Sequence, residues 1–146
     1  MCHQCDYDKL LSNAKLQATA NRVRVLEIIG NNNFPLSAGD IYKTVERSSA
    51  MNRVTVYRIL DLLVDHGVVE RISTGGRAFC YGLAPNDYHK PHPHFYCKNC
   101  GRMYCLSPED LVVDTGPLWK TFPGRIDKVE LRVDGVCKDC EKRQTT

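Results

Sequence analysis

No run of apolar residues in this chain approaches the roughly 20 positions needed to cross a bilayer, and its first residues carry no apolar core of a secretory leader. A membrane role is therefore not expected, and a cytoplasmic, reducing setting is. Charge of one sign is also scarce: 20 Lys and Arg stand against 17 Asp and Glu, a net of +3. Composition alone thus does not announce a nucleic-acid binder, and local pattern has to decide. There is no internal repeat and no low-complexity segment. The usual enzymatic signatures are missing too. His-Glu-x-x-His, Gly-x-Ser-x-Gly and phosphate-cradling glycine loops do not occur, and neither His92 nor His94 is followed by the glutamate that a zinc deaminase needs. With no general base in view, neither an enzyme nor a small-molecule substrate is expected.

What the chain does hold is cysteine, eight in 146 residues. Four come as Cys97-Lys-Asn-Cys100 and Cys137-Lys-Asp-Cys140. Paired thiolates two residues apart, presented by tight turns, are what a tetrahedral zinc ion requires, and in a reducing compartment this spacing favours metal over disulfide. The alternatives are reduced core thiols or a thiol-disulfide redox pair, which would bind no zinc. The 36 residues between the pairs exceed ordinary zinc-ribbon spacing, so a folded segment lies between the knuckles and the metal ties its ends together. Such a site is structural and closed.

Directly upstream, His92-Pro-His94-Phe-Tyr-Cys97 reads as an extended strand. Alternation puts His92 and His94 on one face and Phe95 and Cys97 on the other. Cys105, on the returning segment 101–106, is within reach of the histidine face, which suggests a second, mixed nitrogen and sulfur site. Cys80 reads as a small core residue on pattern alone, and Asp87 and His89 as loop residues that either coordinate or are simply hydrated. Cys2-His3-Gln4-Cys5 has ligand-type residues but carries no functional claim.

The fold reading is α+β. Helical spacing covers residues 6–16 and 22–29. Ser37 with Asp40 resembles a capped start for a helix whose inward face is Ile41, Tyr42 and Val45. Asn52 caps a further helix with Val56, Ile59, Leu60 and Leu63 on its apolar stripe and Tyr57, Arg58 and Asp61 largely opposite; Gly67 stops it. Two β-prone runs, 68–72 and 78–81, flank Gly75-Gly76 as a hairpin. Helices plus hairpin make a winged helix-turn-helix, in which a helix of this kind points to DNA contact. The expected organisation is a DNA-binding domain at 1–83, a hinge at 84–91, and a metal-binding dimerisation domain at 92–146. That last unit is read as strands at 92–96, 102–106 and 126–133 with a helical stretch from about Pro108 that Pro117 interrupts.

In their order and separation, Thr55-Val-Tyr-Arg58, the run from His92 to Gly101, and Cys137-Lys-Asp-Cys140 resemble the ferric uptake regulator family. The resemblance spans roughly residues 10–140. It implies a homodimeric, metal-activated repressor of transcription that binds double-stranded operator DNA. Carried over, Cys97, Cys100, Cys137 and Cys140 match the structural zinc cage, and His92 and His94 match two histidines of the regulatory site. Cys105 stands where the family usually has a carboxylate ligand. The loop Asn33-Phe-Pro-Leu36 lacks the histidine that some iron- and peroxide-sensing members supply. Both departures point toward zinc uptake regulators, with Zn(II) as the regulatory metal and Fe(II) or Mn(II) as alternatives. Cys80 is the leading fourth ligand, with His89 or Asp87 as substitutes. By the same resemblance Tyr57 and Arg58 meet the major groove, Arg53 and Thr55 nearby bases or phosphates, Gln17 reaches toward the minor groove, and Arg77 on the wing touches phosphate.

Overall fold

A computed structural model describes residues 6–32, 34–86 and 90–144. Cys2, His3, Cys5, Asp87 and His89, singled out above, lie outside the described residues. Four helices open the fold: α1 (Tyr7–Asn13), α2 (Ala20–Gly30), α3 (Ala38–Glu46) and α4 (Arg53–Asp65). Each starts on a residue whose side-chain oxygen accepts an otherwise unpaired amide: Asp6 from Lys9, Thr19 from Arg22, Ser37 from Asp40 and Asn52 from Thr55. At the end of α4, Gly67 takes φ +73°, a left-handed conformation open to glycine. The amides of Gly67 and Val68 then return to the carbonyls of Val64 and Leu63, which closes a Schellman motif.

The short strand β1 (Leu36–Ser37) and the wing hairpin β2 (Val69–Ser73) and β3 (Phe79–Leu83) form an antiparallel sheet ordered β1-β3-β2. The helices pack on it through a core that includes Leu11, Leu26, Ile41, Val56, Leu60 and Leu63, each at most 1 % exposed. All four positions of the α4 stripe are buried, and Tyr57, Arg58 and Asp61 are exposed, as the wheel predicts. This is a winged helix-turn-helix.

The C-terminal unit is a second sheet, β5-β4-β6, built from β4 (His94–Cys97), β5 (Met103–Cys105) and β6 (Arg132–Gly135), with helices α5 (Gly116–Thr121) and α6 (Lys138–Gln144). β4 pairs antiparallel with β5 and parallel with β6, so the chain between them is a crossover. Three sequence expectations are corrected here. The segment after Pro108 is a turn and not a helix, and Pro117 begins α5 instead of interrupting it. Proline's fixed φ and missing donor suit the first turn of a helix, where amides have no partner anyway. The last strand runs 132–135 and not 126–133, because its ladder starts at Arg132 opposite His94, where β4 begins, while residues 128–132 turn side chains to the wing: Lys128 donates to the Arg71 carbonyl, Glu130 accepts from the Ser73 amide, and Arg132 donates to Ser73 Oγ. Finally, α6 was not anticipated; it starts inside the second cysteine knuckle.

Candidate metal centres and DNA-binding face

Two groups of ligand-type side chains assemble among the described residues. In the first, the sulfurs of Cys97, Cys100, Cys137 and Cys140 all lie within 4.8 Å of one another. Cys97 ends β4, and Gly101 at φ +77° turns the chain so that its amide bonds the Cys97 carbonyl at 2.9 Å, which folds Cys100 back over the strand. The parallel pairing of β4 with β6 puts Gly135 beside Cys97, so that Cys137 and the first turn of α6 arrive next to it. Cys97 Sγ accepts the amides of Cys100 at 3.4 Å and Cys137 at 3.3 Å. Those two donors draw the Cys97 thiol down to about 6. A sulfur that collects amide donors is built to be a thiolate. The gap from Cys100 Sγ to Cys137 Sγ is 3.9 Å, and a tetrahedron with bonds of about 2.3 Å has edges of about 3.8 Å. None of the four is in a disulfide. The donor set, its spacing and its amide bonds fit zinc(II).

The second group is His92, His94 and Cys105, whose ligand atoms also fall within 4.8 Å of one another. The β4–β5 register sets Cys105 directly opposite His94, which supplies the hairpin alignment that sequence left open. His92 precedes the strand but keeps its face: the two imidazole rings are 4.6 Å apart. His92 Nδ1 lies 2.9 Å from the Lys90 carbonyl. A carbonyl only accepts, so Nδ1 carries the proton in the neutral ring and Nε2 keeps its lone pair. That Nε2 is buried and has no hydrogen-bond partner. A buried, unpartnered lone pair aimed among two other ligand atoms is the signature of a place for a cation. His94 is only 4 % exposed, and burial, together with His92 and Lys128, lowers its pKa to about 4, so His94 is a neutral donor at ordinary pH. These residues fit a borderline metal ion taken by nitrogen and sulfur.

The trio lines a cleft of about 610 Å³ where the winged helix meets the C-terminal unit. Cys80, the leading candidate for a fourth ligand, is not brought to it. Its thiol is 4 % exposed and packs with Ile72 and Met103, and burial raises its pKa to about 11. It behaves as the small core residue that its pattern alone suggests. A residue that sequence reasoning did not single out, Glu70 on β2, also faces this cleft. It pairs with Gly82, lines the same cleft as the trio, and is a carboxylate whose pKa burial raises while Lys128 and then His92 pull it back. The signal was present as an acidic residue interrupting the apolar run Val68-Val-Glu-Arg-Ile72 on the face shared with buried Ile72.

Elsewhere on the winged helix, α4 shows Val54 at 57 % and Tyr57 at 38 % exposure beside exposed Arg58. Arg53 stacks its guanidinium 4.8 Å over the Tyr42 ring, Thr55 is half-buried at the helix start, and Asp61 is held by Arg71 of the wing at 2.6 Å. Gln17 and Arg77 are exposed, the latter at the wing turn.

A model of the ferric uptake regulator family matches residues 13–113, well over half of the chain. The chain belongs to the ferric uptake regulator family. It is accordingly a DNA-binding transcription regulator of metal uptake and not an enzyme. The ferric uptake regulation protein of Bacillus subtilis is 32% identical over 145 residues, covering 94% of this chain and 93% of that protein. The structure of the Helicobacter pylori ferric uptake regulator, described as having three functional metal binding sites, superposes with a TM-score of 0.75 at 17% identity and 97% of each chain. A zinc uptake regulator complexed with zinc and DNA superposes with a TM-score of 0.62 at 21% identity, over 98% of this chain and 100% of that one. Among the described residues no helix is long and apolar enough to cross a membrane.

Proposed function

We propose that this regulator is a zinc-responsive repressor whose switch is the cleft holding His92, His94 and Cys105, with Glu70 as the wing's contribution. The observation that carries the reading is the donor set: two imidazoles and one thiol at mutual ligand distance, with His92 Nε2 buried and unpartnered. Nitrogen and sulfur donors suit zinc better than an oxygen-rich iron site does. When bound, a zinc ion supplies a dication with a tetrahedral preference. His92 and His94 enter as neutral donors, Cys105 gives up its proton on ligation, and Glu70 reaches from β2. Because Glu70 sits on the wing while the other three sit on the C-terminal unit, joining them fixes one unit against the other across a hinge at 84–91. A dimer whose two winged helices are fixed at half-site spacing binds operator DNA, and one whose winged helices swing does so weakly. Tyr57 and Arg58 serve the major groove, Arg53, Thr55 and Arg77 the flanking bases and phosphates, and Gln17 the minor groove. The second copy is supported by apolar side chains left open on the C-terminal unit, including Val112 at 79 %, Trp119 at 54 % and Val133 on the edge strand β6. The four-cysteine group is assigned the structural zinc.

The test is binding to the DNA upstream of its own gene, at fixed salt and without oxygen, against separately buffered zinc(II), iron(II) and manganese(II). Zinc is expected to switch binding on at the lowest free concentration, and Cys105→Ala to raise the zinc required by about 100-fold or more, beyond the 10–100-fold that even outer-shell changes cost. A switch driven by iron(II) or manganese(II), or a Cys105→Ala protein with the parent's zinc dependence, contradicts the reading.

A further inference from the structure

A strong cation stands beside the two histidines in an adjoining cavity, and it is not a metal. Lys128, on the segment before β6, puts Nζ 3.7 Å from Glu70 Oε2 and 3.6 Å from Glu130 Oε2, and donates at 3.1 Å to the Arg71 carbonyl. Lys128, Glu70, His92 and His94 line one cavity, so the ammonium shares its surroundings with the imidazoles. Its partner carboxylate is only 20 % exposed. β2 is an edge strand, and the three side chains that reach Arg71 and Ser73 from residues 128–132 clasp it.

We infer that Lys128 is a tethered counter-cation that holds Glu70 in the metal-free protein, and that the regulatory metal has to displace it. The inference rests on the reading of Glu70 as a ligand. A carboxylate between two cations must divide its charge, and a dication with neighbouring ligands wins over one half-exposed ammonium. The competition weakens metal uptake, and its release transmits metal binding to the wing. When Glu70 turns to the metal, the ammonium is repelled by a like charge and its bond to the Arg71 carbonyl loosens. Lys128 is thus a positioning residue that sets the metal concentration at which the switch responds. A purely structural clasp has the opposite sign: removing it would leave the ligands less organised and metal binding weaker.

The experiment titrates zinc(II) into the full-length protein, with its four-cysteine site already filled, against a competing chelator, and follows amide exchange across 70–73 in the same samples. Lys128→Met is expected to bind the second zinc roughly three- to tenfold tighter, the range of a partly exposed ion pair, with 70–73 exchanging faster before metal is added. Lys128→Arg, which keeps the charge, is expected to retain the parent affinity. Glu70→Gln is expected to bind more weakly, and Lys128→Met added to it to bring no further gain. If Glu70→Gln weakens zinc but Lys128→Met leaves affinity unchanged or lower, the counter-cation role is wrong and the ligand reading survives. If Glu70→Gln has the parent affinity, the ligand assignment fails, and the inference with it.

Discussion

The two ligand clusters each take a residue from β4, His94 at its start and Cys97 at its end, and are built in opposite ways. The four-cysteine group is local to the C-terminal unit, with three of its four residues buried, and the Cys97 sulfur is prepared by two amide donors before any ion arrives. The His92, His94 and Cys105 group opens into a cleft, keeps Cys105 exposed, and shares that cleft with a carboxylate of another unit, Glu70, which a lysine pairs. The first cluster replaces a hydrophobic core. Beyond it the C-terminal unit buries little besides Met103 and His94, whereas sixteen residues form the main cluster under the winged helix. A unit that small depends on its metal to stay folded. The second cluster contributes little to either core, and for that reason it is free to respond. Closed and complete suits structure, while open and shared between units suits a signal.

The most severe way to break the contrast is Cys97→Ser. It removes the thiolate that accepts two amides at the centre of the cage, and since structural zinc carries on the order of 10 kcal/mol of metal-linked folding free energy, the C-terminal unit is expected to lose its zinc and unfold. Amide exchange would report that loss across β4–β6 while the winged helix stays protected. Exchange that remained slow throughout would contradict a structural role. His92→Ala is the matching cut at the other cluster. It is expected to leave the fold and the first zinc untouched but to cost on the order of 100-fold in metal affinity at the cleft, read as the free zinc needed for operator binding. Loss of folding in this variant would erase the distinction between the two sites.

A gentler probe is pH, applied to protein whose four-cysteine site holds zinc and whose cleft is empty. His94 is lowered from 6.5 to about 4, so the unfolded chain binds more protons between about 4 and 6.5, and stability is lost as pH falls through that range. A rise across that window is expected in a denaturant midpoint measured against pH, and His94→Gln should remove it. A rise that survived His94→Gln would show that burial of this imidazole is not its source.

Much of this was legible in the sequence, and unevenly so. Cysteine spacing and the caps at Ser37 and Asn52 are local patterns with local causes, and they appear where expected. The pairing of His94 with Cys105 depends on hairpin register, which spacing leaves open. The errors share one origin. A strand starting at 126 and the pairing of Glu70 with Lys128 both concern contacts between units far apart in sequence. Residues 128–132 look like a strand by composition, yet their side chains reach about 57 positions back to the wing. Nothing in their immediate neighbours records that partner. Pro117 was a local misjudgement of another kind, since proline both breaks a helix interior and begins a helix, and only position distinguishes the two.

The account turns on the two clusters emptying in a fixed order with different consequences. The direct measurement is a chelator series on the zinc-loaded protein in which zinc content, operator binding and near-ultraviolet circular dichroism are followed together. One equivalent per chain should leave first, taking operator binding with it and returning it when zinc is restored, while the fold signal holds until the second equivalent goes. If both equivalents leave together, or the fold signal falls with the first, the division into a structural and a switching site is wrong.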